Sequence, residues 1–333
     1  MTNSSVSQRI QQSWGGWGPL TLLLLPLSAL YCLIVVLRRQ LYRLGVLSSS
    51  KLAVPVLIVG NLTVGGTGKT PLVVWLAQRL RQHGLHPGIL TRGYGGCSRQ
   101  WPLRIEFDTP VAQAGDEALL LYRRTGCPVY AGPDRVLAGR RLLAEQDCDI
   151  LICDDGLQHY ALQRDLELLV IDGERRFGNG LCLPAGPLRE THNRLHSVDL
   201  LIANGKARPG EHPMRVSGAK AVAVNGVLAE RSLESFVGQT VEAVAGIGNP
   251  ERFFRLLESH GVRINRHSFP DHHPFQAKDL EPFAGRTVLM TEKDAVKCAA
   301  FAGENVWYVP ADAHFDKPFI QQLTLLLDRL IHG

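Results

Sequence analysis

The residues with the clearest chemical capacity lie between Gly60 and Pro71, in the string Gly-Asn-Leu-Thr-Val-Gly-Gly-Thr-Gly-Lys-Thr-Pro. The string follows an apolar run at 54–59 and opens a helical pattern. Glycines let successive backbone N–H groups converge on an anion, and a helix start adds the positive end of its dipole. Thr63, Val64, Gly65, Gly66, Thr67, Gly68, Lys69 and Thr70 are therefore expected to cradle a triphosphate. Lys69 would neutralise β- and γ-phosphate oxygens, and the Thr70 hydroxyl would ligate Mg²⁺. Pro71 suits a first helical turn, where no N–H is needed. The usual pattern has a Gly five residues before Gly68, where this chain has Thr63. The competing reading is a glycine turn that binds nothing.

A phosphate loop needs acidic company. The run Asp-Ile-Leu-Ile-Cys-Asp-Asp-Gly at 149–156 ends an apolar strand in Asp154 and Asp155, an arrangement that holds Mg²⁺ directly or through water. The loop at 184–190 offers Arg189 for transition-state charge and Glu190 for Mg²⁺ or its waters; the alternative is a rigid Pro/Gly turn with solvated charges. Phosphoryl transfer also needs a group that takes the nucleophile's proton. Asp116, in Gly115-Asp116-Glu117, is one candidate, with a helix N-cap as its rival reading. His272, in Asp271-His272-His273, is the other. A carboxylate that orients a His is more economical there than a metal site, because adjacent side chains seldom ligate one ion together. Tyr94 and Arg135 follow short strands, where an open α/β sheet presents its crevice. Thr291-Glu292-Lys293-Asp294 closes another strand, and exposure alone would account for it.

These residues need a frame. Short β-branched runs at 54–59, 87–91, 128–131, 149–153, 166–171 and 198–203 alternate with helical patterns at 70–82, 117–124 and 135–145, which predicts β-α units feeding a mostly parallel sheet. The Gly-, Pro- and Arg-rich stretch at 173–194 reads as a long loop of the functional kind. A second series has strands at 221–224, 241–245, 262–269, 287–291 and 306–309 and helices at 251–260 and 319–330. The expected organisation is an anchor over 1–50, a phosphate-loop domain of α/β class over 51–216 and a second, smaller α/β domain over 217–333, with the linker at 206–219.

Composition supports that frame. The 333 residues are 45% hydrophobic and 20% charged, enough to bury a core, which excludes wholesale disorder. No Asp or Glu precedes Glu106, so 1–105 carries +11 from its Lys and Arg, and the remainder carries −6 from 25 basic and 31 acidic residues. An anionic partner near the N-terminal half would explain the split, as would genomic base composition. No basic run with interleaved aromatics argues for nucleic acid. The seven cysteines show no C-x-x-C pair, which points to a reducing compartment. Residues 18–37 carry no charge and are long enough to cross a bilayer; Arg38, Arg39, Arg43 and Lys51 follow them, which would leave the bulk of the chain cytoplasmic. A cleaved signal peptide fits poorly because its basic residues should come first. A helix lying in the interface, or buried on the catalytic domain, is the stronger rival.

Taken together, the strings at 59–71, 91–96, 115–117, 131–135, 154–159, 184–190, 271–272 and 291–297 resemble, in order across nearly the whole chain, the tetraacyldisaccharide 4′-kinases of lipid A synthesis. The resemblance implies a membrane-associated, P-loop NTPase-like kinase. It would move the γ-phosphate of ATP, with Mg²⁺, to the 4′-hydroxyl of a tetraacylated glucosamine disaccharide 1-phosphate, giving lipid IVA at the cytoplasmic face of the inner membrane. It further implies that Asp116 and His272 form a catalytic dyad across the two domains and that Asp155 and Glu190 help to hold Mg²⁺. Asp154, Arg189, Tyr94 and Arg135 would line the nucleotide and glycolipid surfaces. Two other classes compete. A P-loop ATPase switch that positions proteins or inserts metals usually carries a Lys before the paired glycines, where this chain has Val64. A non-catalytic nucleotide-binding membrane adaptor would leave Asp116 and His272 without work.

Overall fold

The apolar runs form strands largely where their β-branched residues predict them. In a computed structural model, which describes residues 6–225 and 229–332, the chain resolves into two compact units that interleave in sequence. The first comprises Met1–Lys69, Cys148–Met214 and Phe315–Gly333, and the second Thr70–Asp147 and Arg215–His314.

In the first unit, strands Ile150–Asp154, Val56–Gly60, Leu166–Asp172, Leu200–Asn204 and His212–Ser217 lie side by side in that order, each neighbour parallel. The register pairs Val59 with Asp154, Gly60 with Leu169 and Asp172 with Asn204. Parallel strands deliver their carboxyl ends to one edge, so Gly60, Asp154, Asp172 and Asn204 all open loops on the same side. Leu57, Ile58, Val59, Ile152, Leu168 and Leu169 are fully buried, as expected of a parallel sheet covered on both faces.

The same unit carries the helix Pro19–Arg43, 25 residues with a mean hydropathy of 2.6 over its most apolar window and so long and apolar enough to cross a membrane. Pro26 lies inside it, removing one helical N–H. Two faces differ sharply. Leu22, Leu23, Leu27, Leu30, Leu33 and Ile34 are exposed, whereas Thr21 and Ser28 are buried.

In the second unit, Pro87–Thr91 pairs parallel with Val129–Ala131, which pairs antiparallel with Leu103–Arg104. Helices Asp116–Thr125 and Arg135–Glu145 accompany them, the latter capped by the Asp134 carboxylate on the N–H groups of Val136 and Leu137. A six-stranded sheet runs Glu230–Ser232, Lys220–Ala223, Val306–Val309, Val288–Thr291, Thr240–Ala245, Arg263–Ser268. Its last four strands are parallel and its first two antiparallel. Phe236, Phe254, Leu257 and Leu289 form one apolar cluster on it, and Val244, Phe275, Met290 and Cys298 another.

Two elements depart from the sequence reading. The expected linker at 206–219 contains the strand His212–Ser217, which pairs His212 with Ile202. Its Pro213 and polar residues hide the period-2 signal. The string at 291–294 does not merely close a strand: Thr291 caps the helix Glu292–Cys298, its hydroxyl accepting the Asp294 N–H.

Candidate active site

The first cluster of functional side chains is built on the phosphate loop of the first unit. Gly65 (φ +97°) and Gly68 (φ +95°) take the left-handed backbone that the tight bend demands, and a Cβ on Gly68 would lie 2.3 Å from the Asn204 amide nitrogen. That Asn204 amide donates to the Thr67 carbonyl at 3.0 Å. Asn61 braces the bend from within, donating to the Thr63 carbonyl at 2.8 Å and accepting from Lys69 Nζ at 3.2 Å. Arg175, held by Asp172 at 3.0 Å, donates to the Gly66 carbonyl. Val64 N–H donates to the Pro187 carbonyl at 2.9 Å and Arg189 N–H to the Leu62 carbonyl at 2.6 Å, so the 184–190 loop is stitched to the start of the phosphate loop.

Charge converges where those loops meet. Asp155 accepts from Arg189 Nη1 through both oxygens at 2.9 Å and lies 3.3 Å from Lys69 Nζ. Burial pushes the Asp155 carboxyl up, but Lys69 and Arg189 outweigh it and hold the group well below the usual carboxylate range. Asp155 also has a positive φ of +50°, unusual outside glycine and tolerated by Asp. Asp154 is buried at the end of its strand. Glu190 is buried too: Tyr160 donates its hydroxyl to one oxygen, while the other has no hydrogen-bond partner among the described residues. Thr67 Oγ1 in the phosphate loop is also buried without a hydrogen-bond partner among the described residues. An acceptor oxygen left bare in this way suits a hydrated cation, and a bare hydroxyl suits a phosphate oxygen.

The second cluster lies wholly within the second unit. Asp116, the first residue of its helix, accepts its neighbour Glu117 N–H at 2.9 Å through Oδ1. Through Oδ2 it meets His272 Nδ1 at 3.1 Å. His272 has φ +59° and donates its backbone N–H to the Gly246 carbonyl at 3.2 Å. Tyr94, more than half exposed, packs its ring 4.8 Å from the imidazole. Burial raises the Asp116 carboxyl, yet the His272 hydrogen bond and the nearby Lys293 together bring it below its ordinary value. His272 moves the other way: the hydrogen bond to Asp116 raises it above 6.5, against burial and Lys293. His273 does not join it on a metal, since its Nε2 faces Asp279 at 3.1 Å. Among the described residues, no group of three or more His, Cys, Asp or Glu is placed to hold a metal ion. Arg135 is buried and donates to the Gly132 carbonyl at 2.7 Å, bracing its own turn.

With this geometry in view, comparison with known proteins is decisive. Residues 20–328 match the model of LpxK, tetraacyldisaccharide-1-P 4′-kinase. The chain belongs to this family. Proteins named tetraacyldisaccharide 4′-kinase from Nitrosococcus oceani and Methylobacillus flagellatus are similar to it at 51% and 47% identity, with alignments covering 98% of this chain and 96% and 98% of those proteins. A crystal structure of LpxK from Aquifex aeolicus in complex with ATP matches with a TM-score of 0.80 at 31% identity, over 94% of this chain and 100% of that one. As a member of the LpxK family the chain is a mixed α/β protein with large, mostly parallel sheets and an apolar N-terminal helix.

The site residues read from sequence thus fall into two groups. Lys69, Asp155 and Arg189 converge in one unit and Asp116, His272 and Tyr94 in the other. Sequence reasoning passed over Asn61, Arg175, Glu117, Lys293 and Lys297. Asn61 stands inside the glycine string and Arg175 inside the long loop, yet nothing in residue type marks them as bracing side chains. Lys293 and Lys297 belong to the 291–297 string, but two like charges at i, i+4 disfavour a helix rather than signal one.

Proposed function

We propose that this chain uses ATP to phosphorylate the 4′-hydroxyl of a tetraacylated glucosamine disaccharide 1-phosphate, the lipid IVA-forming step of lipid A biosynthesis. The observation that carries the reading is the Asp116–His272 pair at 3.1 Å, because an ATPase switch or an adaptor gives that pair no task. The phosphate loop receives the triphosphate: its bent backbone and the Thr67 hydroxyl accommodate phosphate oxygens, and Lys69 and Arg189 exchange part of their contact with Asp155 for them. His272 and Asp116 accept the proton that the sugar hydroxyl loses as it attacks.

Mg²⁺ would be held by the Thr70 hydroxyl with Asp155 and Glu190, whose ionised and bare oxygens fit a hard cation. When bound, it supplies charge neutralisation across the transferring phosphate. Tyr94 offers an exposed ring to the glycolipid, while the buried Asp154 and Arg135 act by shaping the loops that meet substrate. In the division 1–50, 51–216 and 217–333 the first segment would be the anchor and the second would carry the phosphate loop, while the acceptor-side pair draws Asp116 from the second and His272 from the third. The exposed leucines of Pro19–Arg43 support a helix that meets a lipid surface, and a chain held at the cytoplasmic face of the inner membrane would find its acylated substrate there.

The test incubates purified protein with labelled ATP, Mg²⁺ and the lipid disaccharide in detergent micelles. Labelled lipid is expected, and Lys69→Ala should abolish it while the protein stays folded. ATP hydrolysis with no labelled lipid would hand the chain to the ATPase-switch class.

A further inference from the structure

The dyad does not stand alone. Lys293, on the first turn of the helix Glu292–Cys298, places Nζ 3.2 Å from His272 Nε2 and 3.0 Å from Glu117 Oε1, with Asp271 at 3.8 Å. The Lys293 side chain is only 19% exposed, so these contacts are weakly screened. The neighbouring turns hold the helix in place: Glu292 takes Arg124 at 2.6 Å from the end of the Asp116 helix, and Asp294 accepts Gly246 N–H at 2.8 Å, beside the carbonyl that binds His272. Lys297 lies 3.7 Å from Asp116 and 2.8 Å from Asp294.

An ammonium has donors and no acceptor. The nitrogen it meets on His272 is therefore the bare one, and the ring proton sits on Nδ1, toward Asp116. We infer that Lys293 is a positioning residue that fixes this tautomer and opposes the protonation that Asp116 favours, so that Nε2, once a sugar hydroxyl takes the place of the ammonium, can accept a proton. The inference rests on the dyad's role in the kinase reading above.

The charges around the ring set the direction. Asp116, Glu117 and Asp271 favour imidazolium, Lys293 and Lys297 oppose it, Tyr94 packs its ring on the imidazole, and the neighbouring His273 faces Phe269 and Asp279 instead. Lys293 is the cation in contact with His272, and its own burial is outweighed by Glu117, Asp116 and Asp271, which hold it charged. Removing it takes away the opposing charge and frees two carboxylates, so imidazolium persists to higher pH.

Histidine-labelled protein, with the His272 signal assigned by its loss in His272→Gln, is titrated by NMR in the wild type, Lys293→Met, Lys293→Gln and Lys293→Arg. The midpoint should rise by about one pH unit in the Met and Gln variants and return toward wild type in Arg. The acid limb of kcat/KM for lipid phosphorylation should move with it, whereas a purely structural loss lowers turnover at every pH without moving that limb. A folded Met or Gln variant whose midpoint matches wild type overturns the inference, and if neither folds, an Arg variant with a displaced midpoint does the same. The NMR midpoint needs no turnover. A shifted midpoint in a protein that phosphorylates no lipid refutes the kinase reading alone, and turnover with an unshifted midpoint refutes the role of Lys293 alone.

Discussion

Asp155 and His272 share a backbone feature that few side chains accept. Both have φ near the left-handed region, at +50° and +59°, and each sits where a strand end or loop must turn a charged group toward its partners. For Asp155 the partners are two cations, so replacing its carboxylate has a predictable sign. Its folded value lies below the ordinary 3.8, so the stability it contributes is fully present above that pH and disappears as pH falls through the lower folded value. Asp155→Asn should lower stability at neutral pH by about 2 kcal/mol, since it leaves Lys69 and Arg189 close together without their counter-ion. Thermal unfolding at descending pH should show the gap to wild type closing in acid. A gap that widens there would mean that the carboxylate is not the group holding the two cations.

At the scale of elements, legibility followed hydrophobic pattern. The strands at 87–91 and 306–309 and the helix at 135–145 coincide with Pro87–Thr91, Val306–Val309 and Arg135–Glu145, because their apolar period and flanking turn residues agree. Residue type made Asp116 and His272 legible as separate candidates and the family resemblance implied their pairing, but no local pattern encodes a contact between positions 156 apart in sequence. The helix Glu292–Cys298 was illegible for a related reason: it is seven residues long, and Glu292, Asp294 and Lys297 find partners elsewhere in the fold that make their burial tolerable.

The N-terminal helix offers the sharpest case at this scale, because it is both apolar outside and hydrogen-bonded inside. Trp14 Nε1 just before it donates to the Pro184 carbonyl at 2.9 Å, Ser28 to the Cys182 carbonyl at 2.6 Å and Tyr31 to the Arg189 carbonyl at 3.1 Å. The helix therefore supports the loop that carries Arg189. Ser28→Ala removes one of the two hydrogen bonds on the Cys182 carbonyl, which keeps the Gly186 N–H, and should cost about 1 kcal/mol of stability. Tyr31→Phe should reduce lipid phosphorylation several-fold while vesicle sedimentation stays near wild type. Lost sedimentation with unchanged turnover would show that the helix serves the membrane only.

At the scale of the whole molecule, the proposed function has the uneven charge and the apolar helix act on one partner, an anionic lipid surface. The residues before Glu106 carry +11, and Arg43, which ends the helix, and Lys51 beyond it are exposed. Basic residues beside an inserted apolar helix each gain about 1 kcal/mol near an anionic lipid surface, and salt screens that gain within about 10 Å. Burial of the exposed leucines is indifferent to salt. The two contributions are thus separable by experiment. Binding to vesicles rich in anionic lipid should exceed binding to neutral vesicles and fall as salt rises, while binding to neutral vesicles should hold nearly constant. Arg43→Glu with Lys51→Glu should remove most of the difference between the two vesicle types and leave ATP binding, followed by calorimetry, near wild type. If the double variant still prefers anionic vesicles as strongly as the parent, the basic segment after the helix is not what reads the headgroups, and the charge asymmetry of the chain is only compositional.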